Sequence, residues 1–276
     1  MTPPRLFGIP ALDAPVVAVL RRGPSGWMSV GRWEVSSMTY EQGSWLRGTI
    51  YPQRCDLSPD GRWLCYFALK GSARWSLGST YIAISKLPWL TALAAWATCG
   101  TWTSGLHYER DPSVWRVTDP NEGGLAALRG RVGLAVTAPA SFLVERRRGW
   151  REAEGSPPRD PSDMWDERRV ADLTLEKPRP GDHGVKLAVS GEYAAFRSGT
   201  RTRAVAYRIV ASEQETPLAG VQWAEWAADG RLLVATHAGE LQAREPDDWG
   251  TPVAVAASLS LSVPAPTPPP AAARRW

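Results

Sequence analysis

The sequence is short of lysine, histidine, cysteine and phenylalanine, and each shortage closes a route. Lys70, Lys86, Lys177 and Lys186 are its only lysines, so arginine supplies 28 of the 32 basic residues. Against 28 acidic residues the net formal charge is only +4. A nucleic-acid surface needs an uninterrupted positive footprint. The densest basic run, "VERRRGWRE" (Val144 to Glu152), has an acid at each end and reads as a solvated hairpin tip. No nucleic-acid partner is expected. Arginine so far ahead of lysine, with much Ala, Gly and Pro, reads as coding from a GC-rich bacterial genome and says nothing about a ligand.

Three histidines and three cysteines are scattered, with no CxxC and no HxxxH, so no metal site is expected. No GxSxG elbow, SxxK pair, GxxxxGK[ST] loop or GxGxxG fingerprint is present. That removes any linear basis for a catalytic residue, a cofactor or a named reaction. The longest apolar run, "LPWLTALAAWATCGTW" (Leu87 to Trp102), is too short and too interrupted to span a bilayer. The apolar stretch Ala14 to Leu20 follows an aspartate and lacks a small-residue cleavage site. These features predict a cytoplasmic protein with no membrane partner, whose thiols are reduced.

What is abundant is punctuation and tryptophan. The 25 glycines and 24 prolines interrupt the chain too often for long helices. The 15 tryptophans outnumber 4 Phe and 7 Tyr. Each brings bulk and an N–H that needs an acceptor, which suits the seams between packed sheets. The fold class expected is all-β, of short strands and tight turns.

The clearest hairpin is "CDLSPDGRWLCYF" (Cys55 to Phe67). Pro59 has the φ of an early turn position, Asp60 follows, and Gly61 supplies the left-handed residue. The phrase returns at "VQWAEWAADGRLLVATHAGEL" (Val221 to Leu241), where "AADGRLLVAT" aligns with "SPDGRWLCYF". Gly61 and Gly230 lie 169 positions apart, four steps of about 42, within the period of propeller blades. Intermediate steps land near Gly105, Gly149 and Gly191, and one step back reaches the hairpin candidate around Gly26.

The "SPDGRxLxY" pattern resembles the repeat of WD40-like, TolB-type β-propellers. Arg54 to Leu93, with its "RCDLSPDG" motif, also resembles a widespread family of uncharacterised bacterial proteins, which brings no known activity. The first resemblance implies a β-propeller of five or six four-stranded blades. A single domain over residues 1–263 is expected, with an irregular or helical insertion at about 152–182 in which Ser162 or Asp163 caps a short helix. Residues 264–276, "PAPTPPPAAARRW", are proline-rich and expected to be extended or disordered.

For Cys55 and Cys65, register decides. A three-residue loop with a glycine bulge sets them opposite each other; a two-residue loop sets Cys55 opposite Tyr66. The first register suits Pro-Asp-Gly better, yet two buried thiols are expected rather than a bridge. His183 and His237 read as turn residues. His107 has Trp102, Tyr108, Glu109 and Asp111 around it.

The function expected is a non-enzymatic protein-interaction module with a protein partner. Its candidate binding residues are Trp75, Trp89, Trp102, His107 and Trp165. The alternative is a propeller that binds a small molecule or glycan in its central channel, as a hydrolase or lyase if it is an enzyme. Stacked Trp beside Asp, Glu and His would serve that role.

Overall fold

The structure is a computed structural model. It describes residues 4–23, 26–70, 78–98, 100, 106–108, 134–136, 143–154, 172–192, 205–212, 214–245, 249, 251–259 and 268–274. The chain is all-β, and its described residues form four sheets of four or five strands and one further strand pair, paired antiparallel. No helix among the described residues is long and apolar enough to cross a membrane. Two compact units divide the chain, one formed by Met1–Gly8 and Ala140–Ser260, the other by Ile9–Pro139 and Leu261–Trp276.

The first sheet runs β1 (Arg5–Pro10), β2 (Val16–Arg22), β3 (Trp27–Glu34), β4 (Thr39–Arg47), with β2 to β4 in the second of these units and the residues of β1 divided between the two. The β2–β3 hairpin turns at Gly26, whose φ is +79°, as expected of that candidate. The next sheet runs β5 (Thr49–Ile50), β7 (Trp63–Leu69), β8 (Thr80–Lys86), β9 (Ala94–Ala97), with β6 (Asp56–Leu57) also pairing β7. β10 (Leu106–Tyr108) and β11 (Leu134–Val136) form the separate pair. Strands β7 and β8 are buried on both faces along almost their whole length, so their apolar residues need not alternate. Tyr51, Trp63, Cys65, Phe67, Ile82 and Ile84 pack with Leu106 and Tyr108 of β10.

The other unit holds a five-stranded sheet: β12 (Arg151–Glu152), β13 (Asp172–Arg179), β14 (Asp182–Glu192), β15 (Ala206–Ala211), β16 (Gln214–Pro217). Its second sheet runs β17 (Val221–Trp226), β18 (Leu232–Thr236), β19 (Glu240–Arg244), β20 (Pro252–Ser258). Leu175, Leu187, Val189 and Ile209 from the first sheet pack on Ala224, Trp226, Leu232 and Val234 from the second. Trp150 closes the same core at 1% exposure.

Several sequence expectations are corrected. "VERRRGWRE" is not a hairpin tip: Leu143–Arg147 forms a five-residue helix, α1. Glu145 and Arg148, which looked solvated, are buried. Gly191 lies within β14, paired with Leu173, and the turn comes earlier, at Gly181 with φ +80°. His183 accordingly is the second residue of β14, whereas His237 sits in a turn, its N–H bonded to the Gly220 carbonyl at 2.7 Å. The irregular stretch expected to run to residue 182 gives way to regular β13 at Asp172. Gly105 and the helix expected after Ser162 lie outside the described residues.

The two matched turns differ in loop length, and the first has neither the three-residue nor the two-residue loop expected of it. The Ser58 N–H bonds to the Trp63 carbonyl at 2.9 Å, which leaves four residues in the loop. Ser58 explains the extra residue: its hydroxyl accepts from the amides of Arg62 (3.0 Å) and Trp63 (2.7 Å) and donates to Asp60 Oδ1 at 2.6 Å. Ala227 has no hydroxyl at the matching position. Its N–H bonds to the Arg231 carbonyl at 2.9 Å and the loop closes on three residues. Gly61 and Gly230 are both left-handed, at φ +71° and +83°. Asp56 pairs with Cys65 and Leu57 with Leu64, so the two cysteines do not face each other. Both thiols are buried and separate; the Cys55 Sγ–H donates to the Tyr51 carbonyl at 3.1 Å.

Part of the tail expected to be loose has structure. Ala271–Arg274 forms a 3-10 turn, with Ala273 buried at 2% exposure.

Candidate functional site

Of the five residues read from the sequence as binding candidates, Trp75, Trp102 and Trp165 lie outside the described residues. Trp89 is half-buried just beyond β8, in a turn closed by its own N–H on the Lys86 carbonyl at 2.7 Å. His107 is half-buried on β10, opposite Ala135. The two stand on separate elements.

The polar geometry concentrates elsewhere, around the matched hairpins. Asp56 stands five positions before Gly61, and Glu225 five positions before Gly230. Both carboxylates are buried, at 4% and 3% exposure. Each accepts from the amide that follows it: Leu57 to Asp56 Oδ1 at 3.0 Å, Trp226 to Glu225 Oε1 at 2.8 Å. Each then reaches out of its own sheet. Asp56 Oδ2 accepts from the Tyr108 amide of β10 at 2.9 Å. Glu225 accepts from the Trp150 indole (2.9 Å, Oε2) and from Lys177 Nζ of β13 (2.8 Å, Oε1).

The turn glycines make the reverse connection. Arg32 of β3 donates to the Gly61 carbonyl at 3.3 Å, and Arg179 of β13 donates to the Gly230 carbonyl at 2.9 Å. Glycine is required at the first turn for a second reason. A Cβ on Gly61 would lie 2.9 Å from the Cβ of Val16, closer than two such carbons approach. One local phrase therefore supplies a turn, a carboxylate and an acceptor, and clasps its sheet to a neighbour in the same unit.

Burial sets the protonation of the aromatic hydroxyls nearby. It pushes the Tyr108 phenol well above its ordinary range, with Cys65 and Asp56 adding to the effect. The Tyr207 phenol is raised in the same way by burial, then by Glu145 and Glu225. Both remain neutral at physiological pH. On the exposed side of the second turn, Arg231 donates to Asp229 through its backbone N–H (3.1 Å) and its Nε (2.9 Å) and holds that carboxyl below its usual value.

The described tryptophans divide between buried positions and half-buried ones, the latter being Trp27, Trp45, Trp89, Trp96 and Trp249. Trp33, Trp63, Trp150, Trp223 and Trp226 are buried, and the Trp226 indole donates to the Lys177 carbonyl at 3.1 Å. Among the described residues, the exposed large hydrophobic side chains are Val253 at 55% and Val255 at 49%, both on β20, the outermost strand of its sheet. Register shifts in the β19–β20 pairing leave Val253 and Ala256 without a direct partner. Such bulges twist an edge and spoil it for strand addition, so β20 offers side chains rather than a backbone ladder.

Sequence reasoning missed Asp56 and Glu225, although the signal was present. Carrying the alignment of "SPDGR" with "AADGR" further back sets aspartate on glutamate. Among the described residues, no group of three His, Cys, Asp or Glu is placed to hold a metal ion. No protein-family model matches this chain, and no curated protein matches it in sequence.

Proposed function

We propose that the chain is a WD40-like β-propeller of five blades that serves as a protein-interaction scaffold. The four meander sheets support the propeller reading, with β10–β11 as the fifth blade. So do the matched hairpins, because blades that cannot bury both faces alone need repeated contacts with their neighbours. The observation that carries the interaction reading is β20. It is an uncharged outer strand with two valines half exposed, and exposed apolar side chains on a rigid sheet favour a protein partner.

The test is affinity capture of the tagged full chain from extract of its own cells, followed by size-exclusion chromatography of the eluate. A stoichiometric protein partner that withstands moderate salt is the expected result. Val255→Glu should lose that partner at unchanged melting temperature, since an exposed substitution typically moves stability by no more than about 0.5 kcal/mol. Trp89→Ala and His107→Ala, applied to the same capture, separate contact from packing by the same criterion. A clean monomer without partner would overturn the scaffold reading and favour a ligand in the channel.

A further inference from the structure

We infer that the Lys86 end of β8, beside the buried Trp63 ring, is a docking site for a proline- and alanine-rich peptide, and that residues 268–274 of this chain are its resident occupant. Trp63 and Lys86 are direct partners across β7 and β8, so their side chains share a face. The Lys86 ammonium lies 5.5 Å from the centre of the Trp63 ring, and the Arg62 guanidinium lies 5.6 Å from it. The same ammonium donates to the Ala272 carbonyl at 2.9 Å. One cation thus joins the aromatic ring to the tail.

The tail is shaped for this contact. Three prolines, 268–270, precede the Ala271–Arg274 turn, which is closed by the Ala273 N–H on the Pro270 carbonyl at 2.9 Å. Ala271, Ala272 and Arg274 are exposed while Ala273 is buried at 2%, so a single methyl group is the anchor. A prolyl run loses little conformational freedom on docking. A side-chain donor to a backbone carbonyl fixes such a segment without reading its charge. The ligand chemistry is therefore a backbone carbonyl for the ammonium and a small side chain for the socket, with no charge demanded of the peptide.

Because the occupant is tethered, it competes with any free peptide at an effective concentration of about millimolar. The inference does not rest on the scaffold reading and survives if no partner is captured. Its test uses the full chain and a fluorescein-labelled peptide, PPPAAARRW. Ala273→Glu puts a charge where the methyl group sits and undocks the tail. The peptide should bind this variant at least tenfold more tightly than it binds the unaltered chain. Adding Lys86→Met should weaken that binding about tenfold, as expected for losing a hydrogen bond from a charged donor.

Equal binding to both chains, or none to the variant, would overturn the proposal. A second readout needs no change in the tail. The Ala273 amide should exchange hydrogen at least tenfold faster in Lys86→Met than in the unaltered protein, and an unchanged rate would also overturn the docking.

Discussion

Glu225→Ala should cost about 3–5 kcal/mol of stability, the range for removing one partner of a buried ion pair. The carboxylate serves three donors at once: Lys177 Nζ and the Trp226 amide on one oxygen, the Trp150 indole on the other. Removing it leaves a buried indole N–H and a buried amide with nothing to accept them, and strands a lysine whose side chain is only 20% exposed. For a protein of this size that should lower the thermal midpoint by about 10 °C. Glu225→Gln is the discriminating variant. Its single oxygen can replace Oε1, but the amide NH2 would then face the Trp150 N–H, donor against donor. A clear loss with glutamine, read by chemical denaturation, supports the clasp; full retention with both glutamine and alanine would show that the carboxylate is dispensable.

Asp56→Ala should cost about 2–4 kcal/mol, because two buried amides lose their acceptor and each is worth about 1–3 kcal/mol when left unsatisfied. Those amides belong to Leu57 and Tyr108, and each uses a different oxygen. An asparagine side chain, with one oxygen and one NH2, would satisfy one amide and repel the other, so Asp56→Asn should recover little of the loss. The Tyr108 amide makes the experiment specific. Its hydrogen exchange should accelerate in both variants, while amides of β17 to β20, in the other unit, keep their wild-type rates. If the Tyr108 amide exchanges as in the wild type, Asp56 is not the link between the β7 sheet and β10.

Much of this architecture was legible in the residues. "SPDG" and "AADG" announced hairpins because proline, aspartate and glycine each favour particular backbone angles. The unbroken apolar run "LLVAT" suits a strand covered on both sides, as β18 is. Loop length was not legible, because it depends on whether a hydroxyl at one position, Ser58 against Ala227, can bridge two amides. Counting glycines at a fixed step failed at Gly191, since α1 and the residues around it break the rhythm before that point. "VERRRGWRE" misled for a related reason. A charge run reads as solvated, whereas Glu145 and Arg148 are buried once the chain coils beside Trp150. The clasp itself was hidden because Asp56 and Glu225 differ in type and reach different neighbours, one a backbone amide, the other an indole and a lysine.

A single closed propeller is tested most directly by small-angle X-ray scattering from the full chain. A compact ring of 276 residues should give a radius of gyration of about 19 Å and a single-lobed distance distribution. Two separate lobes that merely touch would give about 23 Å or more, with a second maximum in that distribution, and would contradict the propeller.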